Sequence, residues 1–329
     1  MRKIVYRIIV LGVMLTLSLG PAYAAKQKVL YVNSYHSYGW TDGIREGILN
    51  TLNITMDAQG QLDNSASRVE LKIVQMDTKR NPSEEFKKDA ALKVKAVIES
   101  WEPDVVIASD DNASKYLIVP YFNNTDLPFV FCGVNWDASA YGFPSANVTG
   151  MLEVILIPQI IETLSAYAQG ARVGYIKGDD LSARKDAEHF HANFNIELIE
   201  KYVTNFEEWK TAYLALQDEA DMILVGNFAS VADLDTDEAR QFIEEFTTVP
   251  TGNWDEWMSE FTLVTYANRA AEQGEWAANA ALEILAGKSP EEIPIVSNKK
   301  ARISLHMRLA KKLGIKFPLK LIKRSTLIQ

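Results

Sequence analysis

The chain has 329 residues, 43 of them acidic and 34 basic, for a net charge of −9 at neutral pH. An acidic balance of that size disfavours nucleic acid and anionic membrane surfaces as partners. One cysteine, Cys132, rules out an intramolecular disulfide; within the apolar "PFVFCGV" it reads as a small buried hydrophobe.

The N-terminus, "MRKIVYRIIVLGVMLTLSLGPAYAA", places Arg2, Lys3 and Arg7 before an apolar run over 8–19 and a small-residue box at Ala22, Tyr23 and Ala24. The run is shorter than the ~20 residues of a spanning helix. Residues 1–24 therefore read as a secretory signal peptide rather than a membrane anchor, and the expected location is the periplasm. Without them the chain carries 31 basic and 43 acidic residues, a net charge of −12.

Beyond residue 24 the elements alternate. "KVLYVNS" is an apolar strand, and "GWTDGIREGILNTLN" has helical spacing through Ile44, Ile48 and Leu52. "RVELKIVQMD" reads as a strand, 82–100 as an amphipathic helix, "PDVVIASDD" as a strand, "NASKYLIVPYF" as a helix and "LPFVFCGV" as a buried strand. The rhythm then restarts. "PQIIETLSAYAQG" predicts a helix ended by Gly170, followed by strand "ARVGYIKGDD", helix "SARKDAEHFHANFN", strand "IELIEKYVT", helix "EEWKTAYLALQDEA", strand "DMILVGNF", helix "ARQFIEEFTT" and a short strand at "VPTGN". An Ala-rich helix closed by Gly287, the segment "IPIVSNKKARISL" and a last helix "HMRLAKKLG" complete the chain.

Strands separated by helices imply parallel βαβ units and doubly wound sheets. The length and the restart point to two α/β lobes, each with its own core, with the join expected at 147–153. From Lys299 onward there are ten Lys/Arg and no acidic residue. That tail reads as a solvated helix face, with a docking patch for an acidic partner as the alternative.

In open α/β sheets, ligands bind beyond the carboxyl ends of the strands. Those ends carry polar and aromatic residues here: Asn33 to His36, Asp77 and Thr78, Ser109 to Asn112, and Gly133 to Trp136 in the first half. The second half offers Lys177 to Asp180, Gly226 to Phe228, and Gly252 to Trp254. An Asn or Asp at any one of these points also suits a helix cap. Their recurrence at every strand end is what predicts a cleft. The loop "SYHSYGW" would set Tyr35, His36, Tyr38 and Trp40 at its mouth, with Trp40 packed onto its own lobe as the competing reading.

Signatures of catalysis are thin. There is no G-x-S-x-G, Walker A or G-x-G-x-x-G motif. His189 and His191 lie two apart, about 200° around a helix, so they read as a surface pair rather than a metal pair. Asp110-Asp111 and Asp179-Asp180 are adjacent carboxylates whose side chains diverge, which suits recognition of an amino or hydroxyl group better than acid/base chemistry. Neither an enzyme nor a cofactor or metal is expected.

Five segments carry a family resemblance: "PDVVIASDDNASKYL"; "LPFVFCGVN" with "NVTGM"; "PQIIETL" with "ARVGYI"; "EQGEWAANAALEILAGKSPEEIPI"; and "KKARISLHMRLAKKLGIKFP". In order and spacing the chain resembles the periplasmic substrate-binding components of ABC transporters, type I class, in the branch that includes aromatic amino-acid binders. The resemblance implies two Rossmann-like lobes joined by three crossings and closing on a ligand by a hinge. The first lobe would comprise 25–150 plus about 267–297, the second 151–266 plus about 298–329.

Family binding positions, as the resemblance implies, fall on Ser34, Tyr35, Ser109, Asp110, Asp111, Asn112, Asn135, Asp179, Asn227 and Asn253; the aromatic departures add His36, Trp40 and Trp254. The function implied is capture of a small polar or aromatic solute by a monomer and delivery to an inner-membrane permease. Two alternatives are a ligand-sensing subunit docked on a receptor kinase and, behind it, a secreted hydrolase.

Overall fold

A computed structural model describes residues 26–329; the expected signal peptide lies outside the described residues. The first sheet is built from β1 (Gln27–Asn33), β2 (Val69–Gln75), β3 (Val105–Ser109), β4 (Phe129–Asn135) and β5 (Val148–Glu153). All of its pairings are parallel. Strands of such a sheet are covered on both faces, hence the continuous apolar runs: Val29, Leu30, Tyr31 and Val32 have no exposed surface.

The second sheet uses β6 (Val173–Gly178), β7 (Leu198–Val203), β8 (Met222–Val225), β9 (Thr251–Asn253) and β10 (Val264–Asn268). The short β11 (Val296–Ser297) returns to the first sheet, and β12 (Ala301–His306) and β13 (Ser325–Ile328) finish the second. The strand orders are β11-β5-β4-β3-β1-β2 and β13-β12-β10-β9-β8-β6-β7. Only the β10–β12 pair is antiparallel within these two sheets, because β12 arrives directly from the first lobe rather than through a crossover helix.

The helices follow the amphipathic spacing. α1 (Gly39–Leu52) buries Ile44, Ile48 and Leu52, and α2 (Glu84–Trp101) is capped by Ser83, whose Oγ accepts from the Phe86 N–H. In the second lobe α3 (Ile157–Ser165), α4 (Leu181–Phe194), α5 (Phe206–Glu219) and α6 (Thr236–Phe246) surround the sheet. α7 (Ala270–Leu285) crosses back and packs against α1. Their approach is close enough to require glycine: a Cβ on Gly274 would lie 1.9 Å from the Ile44 carbonyl oxygen, and one on Gly47 2.2 Å from that of Ala271.

Two sequence expectations shift. The segment 147–153, taken as the join, is itself occupied by β5, whose residues 148–151 are buried in the first sheet. The chain crosses just afterwards, at Val154. The helix expected at 112–122 starts at Asp110 and contains a π-helical turn, Ser114–Ile118.

The chain passes between the lobes at three places: after β5, after β10 and after β11. Two asparagines tie them together. Asn298 accepts from the Val154 N–H at 2.7 Å and donates to the Val154 carbonyl at 3.1 Å. Asn268 donates to that same carbonyl at 3.0 Å. Glu272, at the start of α7, accepts from the backbone N–H groups of Lys299 and Lys300.

Candidate functional site

The strand ends of both sheets face a cleft of about 730 Å³, within the range of small-molecule sites. The first lobe lines it with Tyr38, Trp40, Lys79, Asn135, Trp136 and Glu153, the second with Asp186, Trp254, Asp255 and Trp257. Of the residues singled out from sequence, Tyr38, Trp40, Asn135 and Trp254 are therefore on the wall. Trp40 reaches the wall because α1 begins at Gly39, directly after the aromatic loop.

Trp40 does two things. Its indole packs in part against the core beneath α1, and its Nε1 donates to Asp110 Oδ1 at 3.2 Å. Asp110 sits with φ +67° where β3 turns into the next helix and is only 3% exposed. Burial pushes its carboxyl up to about 7. Its Oδ2 has no hydrogen-bond partner. The neighbouring Asp111 points elsewhere, accepting from Asn135 Nδ2 at 2.6 Å and the Tyr141 hydroxyl at 2.7 Å. Glu153, at the end of β5, keeps part of its surface open to the cleft, and burial pushes its carboxyl up to about 8.

The aromatic loop folds onto Lys79. The ammonium lies 4.2 Å from the Tyr38 ring centroid and 5.4 Å from that of Tyr35, and it donates to the Tyr38 hydroxyl at 3.0 Å. Burial raises both phenols. His36 sits 5.3 Å from the Tyr38 ring, with Nδ1 3.6 Å from Asp77 Oδ1, beyond hydrogen-bond distance.

Other predicted residues serve the scaffold. Ser34 and Ser109 are fully buried: Ser34 Oγ donates to the Ser109 carbonyl and accepts from the Ala113 N–H, while Ser109 Oγ meets the Tyr31 hydroxyl at 3.1 Å. Asn253 is likewise buried, donating to the Val225 carbonyl and accepting from the Asp255 N–H. Asn112 donates to Thr78 Oγ1, and Asn227 to Asp255 Oδ2, each at 2.8 Å. Asp179 is exposed and paired with Arg184 at 2.7 Å, outside the cleft lining. Short polar side chains at strand ends thus find partners inside their own lobe, backbone groups for Ser34 and Asn253 and side chains for Asn112 and Asn227.

Sequence reasoning grouped Trp136 with its strand end but did not single it out. It leaves the first sheet with φ +59° and packs into the second lobe. Its ring stacks on His189 at 4.6 Å, 14° from parallel, and meets Phe190 and Phe194 at 6.0 and 6.2 Å. His191 turns the other way, to Glu197 at 3.2 Å, so the histidines diverge as their spacing requires but only His191 is a surface residue. Trp254 belongs to the same aromatic group, stacked on Tyr175 and edge-on to Phe190. Asp186 also lines the cleft and is held by buried Lys177 at 2.7 Å. The ten basic residues of the tail are partly spent on ion pairs such as Lys300–Glu275 and Arg308–Glu244.

Among the described residues no group of three or more His, Cys, Asp or Glu side chains could hold a metal ion, and no helix is long and apolar enough to cross a membrane.

Two lobes with mostly parallel sheets, linked by three crossings and facing each other across a cleft, define a type I periplasmic-binding-protein fold. The chain belongs to the ABC transporter substrate binding protein family, whose sequence model matches residues 66–328. Comparison with curated protein sequences finds no match.

Among solved structures, a ligand-free, open substrate-binding protein with adhesive properties from Clostridium difficile aligns over 92% of this chain and 99% of its own, at 16% identity and a TM-score of 0.67. An ABC domain in complex with L-Trp from Streptococcus pneumonia covers 93% of this chain and 100% of its own, at 15% identity and a TM-score of 0.54. The XylFII–LytSN complex covers 85% of this chain and 97% of its own, at 13% identity and a TM-score of 0.51. At these identities the likeness is one of fold.

Proposed function

We propose that this protein works outside the cytoplasm as a monomeric solute-binding component. It would capture a small polar or aromatic ligand in the interlobe cleft and deliver it to a membrane permease. The observation that carries this reading is the cleft itself, lined from one lobe by Trp40 and Asn135 and from the other by Trp254 and Asp255. A ligand touching both walls favours the closed arrangement through its differential affinity for that state. Export with cleavage after Ala24 belongs to the same reading.

The test is protein purified under native conditions from periplasmic extract. Mass spectrometry should find a mature chain beginning at Ala25 with a co-purifying solute, and removal of that solute should increase the radius of gyration. A chain retained in the membrane with residues 1–24, or one whose size ignores solute removal, would overturn it.

A second reading is a ligand-sensing subunit for a membrane receptor. It is favoured by the neighbour of the same fold solved in complex with LytSN. Transport predicts that the loaded protein stimulates ATP hydrolysis by its reconstituted permease; sensing predicts that it engages a receptor ectodomain instead.

A further inference from the structure

We infer that the cleft takes an organic cation: a small solute with a protonated amine on an apolar or aromatic body, and no carboxylate of its own. The inference rests on the capture reading above and names the ligand class for that cleft.

The charge balance of the walls points to it first. Glu46, Glu153, Asp186, Asp255 and Glu256 line the cleft, against Lys79 and Arg302 as the only cations of the lining. Arg302 is engaged by Glu256 at 3.2 Å. Lys177 answers Asp186 from behind, whereas Asp255 is met by the neutral amide of Asn227. Glu153 has no cation at ion-pair distance among the described residues.

The independent observation is Asp110. The residue is 3% exposed beneath Trp40, with Oδ1 on the indole N–H and Oδ2 without a hydrogen-bond partner. A buried acceptor without a donor is costly, and the cost is greatest for a charged one. No hydrogen bond reaches Oδ2, and Asp110 stands directly behind Trp40, a residue of the cleft wall, so a donor on the ligand would meet it at that edge of the lining.

Three ligand classes can be weighed against these groups. A carboxylate-bearing solute would add a negative charge beside Asp110 and Glu153, with only Lys79 to receive it. A neutral polyol brings hydroxyl donors but leaves the acidic excess of the walls uncompensated. A protonated amine supplies donor and charge together. The rings are suited to the same task, since the faces of Tyr38 and Tyr35 already hold the Lys79 ammonium at 4.2 and 5.4 Å.

The test is calorimetric titration of the intact mature protein, stripped of solute, with tryptamine, L-tryptophan, indole-3-acetate and glucose. Tryptamine should bind at least tenfold more tightly than the other three. Asp110→Asn, which keeps the shape and tolerates a positive φ, and Glu153→Gln should each weaken it by roughly tenfold to a hundredfold. Cooperative melting of both variants, with parental far-ultraviolet circular dichroism, would show that they fold. The class assignment is overturned if L-tryptophan, indole-3-acetate or glucose binds as tightly as tryptamine, or if both variants hold tryptamine like the parent. Native mass spectrometry separates this failure from failure of the capture reading. A co-purifying cation supports the inference, and a neutral or anionic solute overturns it while capture stands. A bare protein whose lobes respond to none of the four probes counts against both.

Discussion

Asn298 donates through Nδ2 to Asn268 Oδ1 at 3.1 Å, and both side chains converge on the backbone of Val154. Each of these residues lies at a different crossing between the lobes, so one hydrogen-bonded knot gathers all three. Asn298 is 3% exposed, which shields the knot from competing water.

Asn298→Ala should therefore loosen the hinge. The Val154 N–H loses its acceptor, at a cost of about 1–3 kcal/mol. Chemical denaturation should register that loss, and small-angle scattering should show a broader spread of interlobe separations. A variant with parental stability and scattering would mean that the knot does not set the hinge.

Trp136 is the first lobe's main aromatic contribution to the second. Trp136→Ala should weaken closure by about 0.5–1.5 kcal/mol, the value of an aromatic pair beyond its buried area. Scattering of the ligand-free protein should move toward the open form. If the radius of gyration is unaltered, the stack on His189 does not hold the lobes together.

For Trp40, binding and stability are to be measured on one variant. Trp40→Ala removes both a cleft wall and the donor to Asp110 Oδ1. We expect affinity for the co-purifying solute to fall by about 1–3 kcal/mol, as for a large desolvated anchor. The melting temperature should fall as well, because the ring also packs on its own lobe. Lower stability with unaltered affinity would reduce Trp40 to a packing role.

Gly274→Ala tests the α1–α7 contact. The new methyl would overlap the Ile44 carbonyl, and no flexible side chain is there to yield. Overpacking of this kind costs typically 1–3 kcal/mol and occasionally more. Urea unfolding should show a loss at the upper end of that range or beyond; a neutral substitution would refute the close approach.

The stability of the ligand-free protein should fall as pH rises from roughly 4 to about 8. Burial raises the carboxyls of Asp110 to about 7 and Glu153 to about 8. The unfolded chain releases the same protons near pH 4. Between those limits the native state binds more protons than the unfolded one, so each step up in pH favours unfolding. The two carboxyls should contribute comparably. Melting curves across this window should flatten in part in Asp110→Asn, and an equally steep decline in that variant would exclude Asp110 as a source.

The alternation of apolar runs and helical spacing was enough to read both sheets from the sequence. A parallel strand buried on two faces must be apolar along its length, and a helix covering it must be apolar every three to four residues. Those demands are local and leave a mark in "KVLYV" or "DMILV". The cleft was legible to the same extent. Strand ends could be located, and with them the set that contains Trp40, Asn135 and Trp254. Which of those polar groups face the cleft and which are consumed by backbone partners was not legible. Ser34, Ser109 and Asn253 look like Asn135 in sequence, yet three-dimensional neighbours engage their polar atoms inside the scaffold.

The features that join the lobes were further still from view. β5 reads equally as a strand or a connection until its neighbours β4 and β11 claim it. Trp136 and His189, or Val154 and Asn298, carry no mutual signal in a single sequence, because a contact between distant segments is decided by how the lobes dock. Sequence by itself determined the two α/β lobes, since burial and periodicity act over a few residues. Only the tertiary structure decided the hinge knot, the interlobe stack and the unpartnered Oδ2 of Asp110. Each depends on which groups long-range folding brings within a few ångströms and which it leaves alone.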